Sequence, residues 1–524
     1  MSSGTHRAEA RRDWEGVTFM RAAGILMHIS SLPSPYGIGT MGRAAREFVD
    51  FLKKAGQTYW QILPVGPTSY GDSPYQSFST FAGNPYFIDL DLLEEDGLLE
   101  KSDYAALASG TDPESVDYGR LYTERYPVLR KAVSRLLAKD GAEVRAFEAE
   151  PDSFWLDDYA TFMALKDAHD GASWQTWEKP VRFREREAMA AVRRRCADDI
   201  AFWKGVQYLF HRQWTALKAY ANENGIRIIG DVPIYVSADS VDVWASPKEF
   251  QLDENLLPTG VAGCPPDYFS ADGQLWGNPL FDWENMRRNG YAWWIRRMKH
   301  VTSIYDVVRI DHFRGFAGYY DIPAGDRTAR NGRWRKGPGI AFFREVEKQL
   351  GDVDLIAEDL GLLDDDVRKL LAETGYPGMK VLQFAFDTED GGGYLPHDHE
   401  RHSVAYVGTH DNDTAAGWFR SETAAAQNRA CTYLGLHETE GISWGMMRGV
   451  WGSPADTAIV TAQDLLGLGS AARMNQPSTT GGNWKWRVRE GALSDTLAAR
   501  LASAMRVFGR LPAEKSGKTE KGTE

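Results

Sequence analysis

Cysteine is almost missing from this chain: Cys196, Cys264 and Cys431 are the only three among 524 residues. So sparse and widely spaced a set supplies neither a disulfide framework nor a zinc motif. It sets the expected location in the reducing cytoplasm. Long apolar runs are missing too. No stretch approaches the roughly 20 residues needed to cross a bilayer. The segment from Met1 to Glu15 is polar and charged, with no apolar core of the kind a secretory signal requires. Positive charge is in deficit. A formal net charge of −13 argues against nucleic acid and anionic membrane as partners.

What the chain does have is ordinary globular material, 43% hydrophobic and 25% charged, with 18 Trp, 22 Tyr and 23 Phe. Many tryptophans fall in Gly/Pro-rich loops, where aromatic rings are candidates for a ligand platform as well as for packing. One segment organises the rest: Val307-Val308-Arg309-Ile310-Asp311-His312-Phe313. Its β-branched residues read as a short buried strand ending in a carboxylate. Arg309 and Asp311 are two apart and share one face of that strand, where a guanidinium is expected to keep the carboxylate ionised. Three further apolar segments end in acids: Ile226–Pro233 at Asp231, Leu355–Gly361 at Glu358, and Val404–Asn412 at His410-Asp411. A lone acid after an apolar run is usually a cap or turn residue. Four such ends call for another reason. In a parallel barrel every strand C-terminus meets at one mouth, so Asp311, Glu358 and Asp411 are expected to converge there with Asp231 beside them.

Taken in order, the chain gives strands at Gly24–Ile29 and Thr58–Val65, then at the four acid-ended segments, with Met379–Phe386 and Ala458–Ala462 completing eight. Eight strands separated by helical patterns predict an α/β fold, a (β/α)8 TIM barrel. Long βα loops and an inserted, mainly helical subdomain at about 66–225 interrupt it. The Gly/Pro/Asp/Trp-rich excursion 237–289 reads as a substrate wall or lid. Residues 1–20 read as a flexible arm, 21–510 as one catalytic domain and 511–524 as a disordered tail. The Arg-rich run Val181 to Arg195 reads as a solvated helix face.

Two carboxyls at such a mouth, one ionised and one able to stay protonated, are equipment for cleaving a glycosidic bond. Glu358 follows an apolar run, and a dry setting raises a glutamate toward general-acid use. The residues alone leave other readings open. These are a metal-dependent hydrolase with Asp311, His312, His410 and Asp411 as ligands, and a glucan-binding protein without catalysis.

The order Asp231, Arg309-x-Asp311, Glu358, His410-Asp411 resembles the motif set of the α-amylase clan. Longer strings narrow the resemblance to the amylomaltases, the 4-α-glucanotransferases of glycoside hydrolase family 77. They include Ser73-Pro74-Tyr75-Gln76-Ser77, Gly83-Asn84-Pro85, Asp231-Val232-Pro233-Ile234-Tyr235-Val236 and Pro265-Pro266-Asp267-Tyr268-Phe269-Ser270. Further on come Gly273-Gln274-Leu275-Trp276-Gly277-Asn278-Pro279, Thr409-His410-Asp411-Asn412 and Asn483-Trp484-x-Trp486-Arg487. The resemblance implies Asp311 as nucleophile, Glu358 as acid/base and Asp411 as transition-state stabiliser. It implies Arg309 and His410 as their supports, Asp231 as neighbour of the bound ring, and Tyr75, Trp276 and Asn483 as substrate contacts. It implies 1,4-α-glucans and maltooligosaccharides as substrates, glucose as acceptor, and no cofactor or metal; the alternative on the same barrel is a retaining hydrolase. The sequence carries no signal for oligomeric state. One departure stands out: Ser478 occupies a place in Asn475-Gln476-Pro477-Ser478-Thr479 where Gly is expected.

Overall fold

The computed structural model describes residues 21–69, 71–266, 271–361, 363–479 and 481–512. The expected arm 1–20, the loop residues Tyr268 and Phe269, and the tail beyond Pro512 lie outside them.

Eight parallel strands form the barrel: β1 (Ala22–Leu26), β2 (Tyr59–Gln61), β3 (Arg227–Pro233), β6 (Val307–Asp311), β9 (Leu355–Ala357), β10 (Gly378–Val381), β11 (Ser403–Tyr406) and β12 (Thr457–Thr461). The sheet runs in the order β10-β11-β12-β1-β2-β3-β6-β9. Ile228, Ile229, Val308, Ile310, Leu355, Ile356, Val404, Ile459 and Val460 are all buried. A parallel sheet covered on both faces selects such continuous apolar runs, which is why the strands show in the sequence. Inside the barrel the Tyr406 hydroxyl donates to the Gln61 side chain at 2.9 Å; on the opposite face of β2 Trp60 packs against Phe48 and its indole N–H donates to the Met27 carbonyl at 2.8 Å.

Several strands are shorter than the apolar patterns suggest. The run Met379–Phe386 leaves the sheet after Val381 and turns as a 3₁₀ helix over Leu382–Phe386. The first strand ends at Leu26, and Ile29–Ser31 is likewise a 3₁₀ turn. Among the described residues the seam between β9 and β10 carries no ladder. It is closed by the Ala357 N–H on the Pro377 carbonyl at 3.0 Å and by the Met379 N–H on Asp359 Oδ1 at 2.7 Å. Gly378 makes that approach possible, because a Cβ there would come within 2.6 Å of the Asp359 carboxylate.

Between β2 and β3 the chain is mainly helical. The longest helices are Tyr118–Ala149, capped by Asp117 on the Arg120 N–H and kinked at Asp140, and Ala197–Glu223. They approach so closely at Gly205 that a Cβ would meet Val133 at 2.5 Å. The described residues of the excursion 237–289 are more ordered than its composition suggests. They hold a helix at Val241–Ala245 and two strands, β4 (Gly260–Cys264) and β5 (Gln274–Pro279). With β7 (Gly318–Pro323) and β8 (Arg333–Lys336) these form a four-stranded antiparallel sheet, order β5-β4-β7-β8. No helix among the described residues is long and apolar enough to cross a membrane.

Candidate active site

Strand register builds the centre of the site. β3 and β6 pair so that Asp231 lies opposite Arg309 and Pro233 opposite Asp311. One guanidinium nitrogen, Arg309 Nη1, therefore reaches Asp231 Oδ2 at 2.7 Å and Asp311 Oδ1 at 3.0 Å. Its Nε points to Met379 Sδ at 3.3 Å. The expected support of Asp311 by the Arg309 guanidinium is shared with a second carboxylate. The shorter contact goes to fully buried Asp231, and Asp311 receives a shared charge. Burial, together with the carboxylates of Asp231, Glu358 and Asp411, pushes the Asp311 carboxyl upward against the pull of Arg309.

Glu358 sits just beyond β9. Its Oε2 accepts the His312 N–H at 2.7 Å and its Oε1 the Leu360 N–H at 2.9 Å. His312 takes a left-handed backbone, φ 52°, sparsely populated for a residue with a side chain; that conformation accompanies its N–H on Glu358. The Glu358 backbone N–H donates to the Ile310 carbonyl at 3.0 Å. The glutamate is thus fastened to the strand of Asp311 from two sides. Burial raises its proton affinity, opposed first by Arg309 and then by the two N–H groups. Two half-buried carboxyls beside one cation hold protons jointly.

The third acid closes the other side. Asp411 Oδ1 accepts the Asn475 amide at 2.6 Å, and Oδ2 lies 3.3 Å from His410 Nε2. Burial lowers the proton affinity of His410. Tyr75 stacks on the His410 ring at 5.2 Å and 13°, and its hydroxyl donates to Asp231 Oδ2 at 2.8 Å. The loop carrying Tyr75 is tied down by Thr80, whose N–H and hydroxyl both donate to Asp242, and by Gln76 on Asn278 at 3.2 Å. Trp276 packs edge-on against His312 at 4.8 Å.

The structure therefore brings together Tyr75, Asp231, Arg309, Asp311, Glu358, His410 and Asp411, with Trp276 alongside through His312. Asn483 is not in that cluster. Its Oδ1 accepts the Gln476 N–H at 3.0 Å and its Nδ2 donates to Thr479 at 3.1 Å, so both ends of the amide hold a turn. The neighbouring Trp484 is the ring that reaches Tyr75 (5.7 Å) and His410 (5.9 Å). Ser478, in the same turn, adopts φ 63°, the left-handed conformation that glycine would take without strain. Phe81, on the same loop as Tyr75, is buried among Phe154, Trp155 and Trp293.

Three groups escape a reading of the sequence. Asn475 and Arg473 grip Asp411 from the loop after β12, Arg473 Nη2 donating to the Asp411 carbonyl at 2.6 Å. His28, just past β1, is buried with Nδ1 facing the Leu63 N–H at 3.3 Å, and burial lowers its pKa to about 3. Among the described residues no group of three or more His, Cys, Asp or Glu side chains is disposed to hold a metal ion.

Comparison with known proteins agrees along the chain. The family model described as 4-alpha-glucanotransferase matches residues 27–494. The 4-alpha-glucanotransferase of Clostridium butyricum is 49% identical over 486 residues, covering 92% of this chain and 100% of the relative. That of Thermus thermophilus is 48% identical over 501 residues, covering 94% and 99%. The solved amylomaltase from Streptococcus agalactiae, in complex with acarbose, superposes with a TM-score of 0.92 at 44% identity, covering 94% of this chain and 100% of that one. With its barrel, its acid-lined mouth and these relatives, the chain belongs to the 4-alpha-glucanotransferase family.

Proposed function

We propose that this enzyme moves a segment of a 1,4-α-glucan to the 4-hydroxyl of an acceptor, glucose or another 1,4-α-glucan, by a retaining double displacement. The observation that carries the reading is the pairing of Asp311 with Glu358, whose carboxylate is held by the N–H of the residue next to Asp311. In the first step protonated Glu358 gives its proton to the glycosidic oxygen as the Asp311 carboxylate attacks the anomeric carbon. The C–O bond to the leaving chain breaks and a glucosyl–Asp311 ester forms. In the second step Glu358, now a carboxylate, takes the proton of the acceptor hydroxyl. That oxygen attacks the same carbon and Asp311 leaves as carboxylate. Two inversions give net retention. Asp411 accepts hydrogen bonds from hydroxyls of the reacting ring, bonds that tighten as the ring flattens.

Transfer rather than hydrolysis requires the acceptor to outrun water at ~55 M, and a well-placed acceptor reaches effective molarities far above that. Trp276 and the segment 237–289 beside the mouth supply a wall for such an acceptor. Acarbose, the ligand of the S. agalactiae amylomaltase structure, is the expected occupant of the mouth. Starch- or glycogen-type glucans are the expected donors and the cytoplasm the expected location. The test is incubation with maltotriose and chromatography of all products over time. Free glucose with a ladder of longer maltooligosaccharides, and little net gain in reducing ends, is the expected result. A steady rise in reducing ends without the ladder would make the enzyme a retaining hydrolase.

A further inference from the structure

The loop after β12 does more than cover the barrel end. Its backbone joins the strand end of β11 through the Asn475 N–H on the His410 carbonyl at 3.0 Å. Arg473 joins the two segments a second time, with Nη2 on the Asp411 carbonyl at 2.6 Å and Nε on the Asn475 carbonyl at 2.7 Å. The Asn475 side chain then donates to Asp411 Oδ1 at 2.6 Å, much shorter than the 3.3 Å between Asp411 Oδ2 and His410. Downstream, Trp484 N–H closes the loop on the Met474 carbonyl at 2.7 Å, and Asn483 pins the turn through Gln476 and Thr479. Asp411 is half-buried.

We propose that Asn475 is the positioning residue for Asp411. It fixes Oδ1 and leaves Oδ2 as the oxygen presented to the sugar. This rests on the reading of Asp411 as the transition-state stabiliser. A neutral amide is well matched to that role. It orients the carboxylate through a short hydrogen bond without cancelling the charge that works on the substrate, as a lysine or arginine would. The turn held by Asn483 keeps Asn475 in place, which gives Asn483 a role through the loop.

The experiment measures kcat and KM with maltotriose for the full chain and for Asn475→Ala, Asn475→Asp and Asp411→Asn across acid to alkaline pH. Other charged or titratable groups facing the pair are His410 and Tyr75 on the barrel side, Arg473 on the loop side and Asp311 across the mouth; the Asp413 carboxylate, two residues on, accepts the Thr414 N–H and the Ser470 hydroxyl. All are common to enzyme and variants, so ratios to the unaltered enzyme at each pH isolate position 475. Asn475→Ala should lower kcat by roughly 10- to 100-fold with KM nearly unchanged, the size expected when a reacting group is misplaced by about 1 Å. Asn475→Asp sets two carboxyls face to face. At acid pH they share a proton and reproduce the donor; as pH rises the proton leaves and the carboxylates repel. Its activity ratio should therefore fall at least tenfold further from acid to alkaline pH, while that of Asn475→Ala stays flat. Recovery at low pH in the same preparation shows that the variant is folded, and retained acarbose binding does so for Asn475→Ala. If both Asn475 variants keep at least half of kcat, or if Asn475→Asp shows no more pH dependence than Asn475→Ala, the inference is wrong. If Asp411→Asn itself turns over normally, it is the reading of Asp411 that fails.

Discussion

Replacing Arg309 with lysine keeps a positive charge and shortens its reach. Nη1 now lies 3.0 Å from Asp311 Oδ1. A lysine ammonium stops about one bond, ~1.3 Å, short of that nitrogen, so the contact opens to about 4.3 Å. At an effective dielectric of about 20, the attraction drops from about 5.5 to about 3.9 kcal/mol. The difference, ~1.6 kcal/mol, corresponds to slightly more than one pH unit of proton affinity. Arg309 favours the carboxylate, so a more distant cation favours it less and the proton leaves at higher pH. The acidic limb of kcat/KM, which reports ionisation of the free enzyme, should move upward by about one pH unit. Well below the limb the rate falls about tenfold; above it most of the rate returns. The assay is initial glucose release from maltotriose at subsaturating substrate through that limb. A uniform loss at every pH, with the limb unmoved, would show that Arg309 holds the strands in place and does not set the charge on Asp311.

Glu358→Gln should slow transfer from maltotriose by roughly 10²- to 10⁴-fold while sparing fluoride release from α-glucosyl fluoride, whose leaving group needs no proton; equal losses on both donors would remove Glu358 from the acid/base role. Ser478→Gly should relieve a left-handed backbone that costs roughly 1–2 kcal/mol, less the greater flexibility glycine gives the unfolded chain. The net effect is a small rise in denaturant midpoint, and a fall would mean that the turn is not strained.

The barrel was legible because its strands are buried on both faces, and only uninterrupted runs such as Val307-Val308 or Ile228-Ile229 satisfy that condition. The antiparallel sheet beside it was not. β4 reads Gly-Val-Ala-Gly-Cys and β8 Arg-Trp-Arg-Lys, with every β8 residue exposed, so neither carries the alternation that marks a half-buried strand. The acids were legible one by one as strand ends. Their electrostatics were not, because the division of Arg309 between Asp231 and Asp311 depends on cross-strand register, and register is absent from any single segment. Tyr75 was recognisable within a motif string, but its stacking on His410 joins residues from opposite ends of the chain. Asn475 lay in a segment noticed only for Ser478, because nothing local marks an amide whose partner is 64 residues away.

The closure between β9 and β10 has a kinetic consequence. Seven neighbouring strand pairs are laced by hydrogen-bonded registers, whereas this junction depends on one backbone bond and the carboxylate of Asp359. Opening there requires no other ladder to break, so the wall should part first at this place as the protein is warmed, ahead of global unfolding. Glu358 stands on that edge, directly before Asp359. The Met379 amide should accordingly exchange its hydrogen with solvent faster than amides of β3 or β6, and activity should decline in step with that exchange. Equal protection across all three strands would show that the single carboxylate latches the wall as firmly as a full ladder.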